Sequence, residues 1–198
     1  MRIIIAAVFY LLYWFICFLC TGTDKKNLAG LRSYPDEVQA RVRRESQLAG
    51  SIPKAKSMPA ILLSNLLLFT AVFSILGAAL KNVLGLDGYW TAFWYFLAFG
   101  EGLGLFDLVV IDLIWWRNTG RIRFSFLPEK KYYQDPGKHI GSFVRGFPLF
   151  AAVAALTAGV SPWFGVPACL LAVYAAMCTC LGISYGRLIR ELRKGDHK

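Results

Sequence analysis

From Thr91 to Trp116 the chain has no proline and only three charged residues, Glu101, Asp107 and Asp112. About 20 consecutive apolar residues suffice for a helix to cross the hydrocarbon core of a bilayer. This run exceeds that length, so it predicts a membrane-spanning helix. Glu101 falls near its centre, where a carboxylate costs roughly 2.5–3.5 kcal/mol on insertion scales. A residue retained there against that cost is expected to face a protein interior or a watery cavity. Glu101 is therefore the first candidate for a functional position.

Composition carries the same message along the whole chain. Hydrophobic residues make up 57% and charged residues 17%, whereas soluble domains run near 45–50% and about 25%. At 198 residues there is room for one helical bundle and no separate large soluble domain. The net charge of +10 fits either a nucleic acid or an anionic membrane surface. Because the basic residues lie between apolar runs, the membrane surface is preferred, and no nucleic-acid-binding motif is present.

The predicted fold is all-α, a polytopic bundle of about five transmembrane helices. The spans are about 3–20, 59–80, 89–116, 140–160 and 164–185. Pro59 suits a first helical turn, and Trp90, Trp94, Trp115 and Trp116 place aromatic belts at both ends of the third span. Lys25, Lys26, Arg32, Arg41, Arg43, Arg44, Lys54 and Lys56 follow span one; Arg117, Arg121, Arg123, Lys130, Lys131, Lys138 and Arg145 follow span three; Arg187, Arg190, Arg193, Lys194 and Lys198 follow span five. Only Arg2 and Lys81 remain for the other side. The positive-inside rule then puts the N-terminus out and the C-terminus in, with loops 21–58 and 117–139 and the tail 186–198 cytoplasmic. The first span, with Arg2 alone before it and no small-x-small site, reads as an uncleaved anchor.

Within the first long loop a helix is predicted from Pro35 to about Leu48, with Asp36 and Glu37 in its first turn and Arg41, Arg43 and Arg44 towards its end. Val38 and Val42 lie one turn apart on it, against the membrane or the bundle. In the second loop, Arg121-Ile122-Arg123-Phe124-Ser125-Phe126 alternates with period two and predicts a short interfacial strand. Asp135-Pro136-Gly137 marks a turn.

Tyr34-Pro35 with Glu37-Val38 and Arg41, Asp107 with Asp112, and Tyr133-x-Asp135 with His139 and Gly141 together resemble an uncharacterised group of small bacterial multi-pass membrane proteins. The resemblance covers the central half of the chain. It implies a bacterial plasma-membrane protein and supplies no catalytic residue.

Two groups of candidate site residues emerge. The first is an intramembrane polar set of Glu101, Asp107, Asp112 and Arg145. On an α-helix Glu101 and Asp112 lie within about 20° of one face, with Leu105, Leu108 and Trp115 on the same stripe. Arg145 is the expected ion-pair partner of Asp107, and Arg117, Arg121 or Arg145 of Asp112. Gly100, Gly102 and Gly104 flank Glu101, and Gly100-xxx-Gly104 would let another helix approach closely. Glu101 is expected to be a hydrogen-bonded packing residue between helices or, as the sharper alternative, a proton or cation site. The second set, on the cytoplasmic face, is Arg121, Arg123, Tyr133, Asp135 and His139.

Cys17-x-x-Cys20 has metal-ligand spacing, but Cys178-x-Cys180 splays its thiols, and free Cys is a common small apolar residue. Gly182-x-Ser184-x-Gly186 lacks the strand–turn–helix setting of a nucleophile elbow. No metal site and no cofactor are expected. The function these features favour is an accessory or interaction protein of the plasma membrane without catalysis. Its partners would be anionic headgroups at the cytoplasmic face, other membrane proteins or a second copy of itself, and not nucleic acid. The alternatives are a small proton- or cation-coupled transporter or channel component using Glu101, and a membrane enzyme acting on lipid headgroups.

Overall fold

The computed structural model describes residues 1–45, 48, 52–53 and 57–161. The predicted fifth span, the tail, Cys178, Cys180 and the Gly182-x-Ser184-x-Gly186 pattern lie outside them. Among the described residues the chain is helical, without a β-strand. Helix α1 spans Arg2–Leu19, α2 Asp24–Ala29, α3 Asp36–Arg44, α4 Met58–Leu84, α5 Tyr89–Phe106 and α6 Gly137–Val160. Two single 3-10 turns, Leu31–Ser33 and Lys130–Tyr133, complete the loops.

Three helices are long and apolar enough to cross a membrane: Arg2–Leu19, Met58–Leu84 and the stretch Lys130–Val160 that contains α6. Their outward faces agree with that reading. On α1, Ile3, Ile4, Leu11, Leu12, Phe15 and Ile16 are exposed; on α4, Leu62, Leu63, Leu67 and Leu68 are. Apolar faces this continuous are rare on soluble monomers and need another apolar phase to cover them.

The described residues fold as two compact units, one made of Met1–Leu63 with Leu97–Ala152 and the other of Ser64–Phe96 with 153–161. In the second unit, α4 ends and α5 begins through a tight turn. Gly85 takes φ 59°, and the Leu86 N–H reaches back to the Lys81 carbonyl at 3.1 Å. That 6→1 bond with a left-handed glycine is a Schellman ending. Phe73 stacks on Phe96 with ring centroids 5.6 Å apart, and both are fully buried.

In the first unit, α1 packs through a stripe spaced by one helical turn, Tyr10, Trp14 and Phe18. Tyr10 meets Phe99 and Phe106, each at 5.5 Å, and Trp14 and Phe18 meet Trp115 at 6.2 and 6.3 Å. The two long loops meet in the same unit and build a small core of their own. Leu28, Leu31, Tyr34, Val38 and Val42 from the first pack against Trp116, Ile122, Phe124, Leu127 and Tyr133 from the second. Val38 and Val42 thus rest on the other loop. The helix expected to run to Leu48 ends at Arg44.

The expected strand at Arg121–Phe126 is corrected. Its alternation holds only in part: Ile122 and Phe124 are buried between less buried neighbours, but Phe126, which should follow them inward, is exposed. Its backbone closes on itself in turns, Arg123 N–H to the Gly120 carbonyl and Leu127 N–H to the Phe124 carbonyl. Among the described residues the only bridge is the isolated pair Phe124 and Leu127. Without a neighbouring strand to supply hydrogen bonds, an alternating segment satisfies its backbone locally.

Candidate functional site

Beyond Phe106 the helix does not continue as α. It passes without a break into ten residues of π-helix, Asp107–Trp116. Such i→i+5 winding is rare at this length and is frequent at functional sites. It changes which side chains meet. On an α-helix Asp107 and Asp112, five residues apart, would diverge by about 140°. The i→i+5 bond instead stacks one above the other. The face expected to join Glu101 to Asp112 is correspondingly lost, because that expectation assumed α-winding throughout.

Asp112 pairs with His139, the third residue of α6: Oδ2 lies 2.9 Å from Nδ1. The His139 side chain is 5% exposed and that of Asp112 15%. The Trp116 ring closes over the imidazole, centroids 4.7 Å apart at 66°. Asp107 lies within electrostatic reach of both Asp112 and His139, and the Tyr13 hydroxyl is within hydrogen-bonding reach of its carboxyl. Cys17, one turn along α1 from Tyr13, stands beside that hydroxyl. His139 Nε2 is buried and meets no hydrogen-bond partner among the described residues.

Arg145 does not complete this cluster. It is exposed and folds back along its own helix beside Gly141, and among the described residues it makes no ion pair. The imidazole at the start of α6 takes the position on Asp112 expected of an arginine. Glu101 stands apart from the cluster. It is half-buried, and its Oε1 is buried without a hydrogen-bond partner among the described residues. The glycines around it accept rings: Phe150 lies against Gly100 and Gly104, and the Tyr10 hydroxyl against Gly102. Tyr10 also donates to the Phe99 carbonyl at 2.8 Å.

The second predicted set is divided by the fold. Arg121 donates to the Phe18 and Thr21 carbonyls at 3.2 and 3.1 Å and stacks 3.8 Å over the Phe18 ring. It thereby adds a donor to the Phe18 carbonyl, which Thr21 also caps, and to the Thr21 carbonyl just beyond α1. Arg123 donates to the Pro128 carbonyl. Tyr133 sits inside the loop core, accepting from the Phe124 N–H at 3.1 Å and donating to the Leu127 carbonyl at 2.8 Å. Asp135 accepts from the Gly137 N–H at 2.9 Å and shapes the entry to α6. Of the five, His139 alone joins the polar cluster.

Three residues absent from both predicted sets hold the loops together. Asn27 is 2% exposed and donates to the Arg121 and Arg123 carbonyls at 3.0 and 3.4 Å. Tyr34 donates to the Ile122 carbonyl at 2.8 Å. Burial, reinforced by Tyr133 and Asp24, holds the Tyr34 phenol neutral well above the usual phenolic range. Asp24 accepts from the Ser125 N–H and hydroxyl. The sequence signal for Asn27 was slight, a polar residue in a short helix opened by Thr23, whose side chain accepts from the Lys26 N–H.

Cys17 and Cys20 are free thiols, and among the described residues no group of three His, Cys, Asp or Glu is arranged to hold a metal ion. Comparison with known protein families, with curated proteins and with solved structures finds no match.

Proposed function

We propose that this chain is a multi-pass protein of the bacterial plasma membrane that acts as an accessory or interaction protein. Its two long loops would form one cytoplasmic module facing anionic headgroups. The observation that carries this reading is how the module uses its polar groups. Asn27, Tyr34, Arg121 and Tyr133 all bind backbone carbonyls across or within the loops. Meanwhile Lys25, Arg43, Arg44, Lys130 and Lys131 are exposed. A packed interior with a basic exterior suits recognition of an anionic surface, at about 1 kcal/mol per basic residue near the headgroups.

The loop core also favours the multi-pass topology. Residues of the first loop touch residues of the second, so both belong on one side of the membrane. Between them lie only α4 and the helix Tyr89–Trp116. If α4 crosses, the chain must cross again to return, and Tyr89–Trp116 is the segment available. With α1 before the first loop and α6 after the second, this supports a reading of four crossings, and the apolar run 164–185 would be a fifth.

The test uses the full chain in nanodiscs. Thermal stability should be higher in phosphatidylglycerol than in phosphatidylcholine, and Arg43→Glu with Arg44→Glu should narrow that difference. Equal stability in the two lipids would contradict the headgroup role. In proteoliposomes, a proton or cation flux abolished by Glu101→Gln would favour the transporter reading instead.

A further inference from the structure

We propose that His139, with Asp112 and Asp107, forms a proton-binding site beneath the loop module, in which the free ring nitrogen of His139 takes up one proton. A neutral imidazole has one N–H donor and one lone-pair acceptor. Nδ1 lies 2.9 Å from the Asp112 carboxylate, and a carboxylate only accepts, so the N–H belongs on Nδ1. The lone pair then belongs on Nε2, which is buried and unpartnered among the described residues. A buried, bare imidazole nitrogen held by a carboxylate on its far side is a base with its acceptor position vacant.

The step balances simply. A hydronium ion gives one proton to the Nε2 lone pair and leaves as water, its O–H bond being the only one broken, and the ring becomes imidazolium. The negative charge on Asp112 faces that cation directly, and Asp107 adds a second carboxyl on the same winding. The other titratable groups around the cluster are Tyr13 and Cys17 from α1. Lys138, next to His139, turns away to Asp36 at 2.7 Å. Two carboxyl groups against one imidazole leave the site short of positive charge until the proton binds.

Trp116 connects the site to the module. Its ring lies 4.7 Å from the imidazole and 4.9 Å from Tyr34. The two rings meet edge to face at 66°, so a charge gained by the imidazole acts on the indole quadrupole. Proton uptake would therefore alter the contact between α6 and the loop core.

The chain has two histidines, so a His197→Ala variant leaves His139 alone. The probe is 15N-histidine NMR of this full-length variant in nanodiscs, titrated from acid to alkaline pH. The expected spectrum is neutral and Nδ1-protonated at high pH, doubly protonated at low pH. The titrations of Asp112→Asn and Asp107→Asn should each differ from that of the parent, Asp112→Asn by more because its carboxylate touches Nδ1. A ring that keeps one state throughout, or a neutral form protonated on Nε2, would overturn the proposal. So would identical titrations with and without the Asp112 carboxylate. If Asp112→Asn does not fold, the parent titration and Asp107→Asn still decide.

Discussion

Asn27 is a single amide that both long loops depend on. Besides its two bonds to carbonyls of the second loop, its Oδ1 accepts from the Gly22 N–H at 3.4 Å. Asn27→Ala would take the amide donor from the Arg123 carbonyl and leave the Arg121 carbonyl with only the Gly22 N–H. A stranded buried group costs about 1–3 kcal/mol, so the variant should melt at lower temperature in detergent by a clear margin. Asn27→Asp should fare no better, because a carboxylate cannot donate to carbonyls. Tyr34 predicts a pH dependence. Its folded pKa is raised by burial above the ordinary value of about 10. The folded state thus binds the phenolic proton more tightly than the unfolded one, and the associated stability is present below pH ~10 and lost as pH rises above it. Thermal melts from pH 8 to 11 should fall above pH ~10, and fall less in Tyr34→Phe. Tyr133, whose pKa burial also raises, should keep a residual slope in that variant. Neither residue was legible as structural in the sequence. Both act across about 90 positions of chain, and a hydrogen bond to a distant carbonyl leaves no periodic trace.

The helix Tyr89–Trp116 is where reading from sequence went furthest and then failed. Its ends, its aromatic borders and its glycines were all legible, because length and apolar character are local properties. The Gly100-xxx-Gly104 spacing implied a close approach, and the approaching group is the Phe150 ring of α6. The π-winding of its second half was not legible. Hydrophobic periodicity is weak where nearly every residue is apolar, so nothing in the sequence distinguishes i+4 from i+5 bonding over Asp107–Trp116. The glycines give a paired prediction. A Cβ at Gly100 would lie 2.7 Å from Phe150 Cδ1 and 3.1 Å from its Cβ. Overpacking of that kind costs about 1–3 kcal/mol, against a helix-propensity gain of about 1 kcal/mol for Gly→Ala. Gly100→Ala should therefore destabilise, and Phe150→Leu should recover part of the loss. Among the described residues nothing lies within 4 Å of the Cβ position of Gly146 on α6. Gly146→Ala should leave the melting temperature unchanged or raise it. Equal effects at the two positions would show that the Phe150 contact does not matter.

At the scale of the molecule, the two long loops share one core, and the proposed topology puts that core on one side of the membrane. Apolar runs and basic loops announced the membrane and the order of the helices. They did not announce that Leu28, Tyr34 and Val38 would pack against Ile122, Phe124 and Tyr133, since each loop alone looks like a polar connection. The most direct test is topology in cells. Reporters fused after residues 50, 85 and 130 and at the C-terminus should read inside, outside, inside and inside. Opposite readings at 50 and 130 would separate the halves of the loop core by a bilayer and contradict the account.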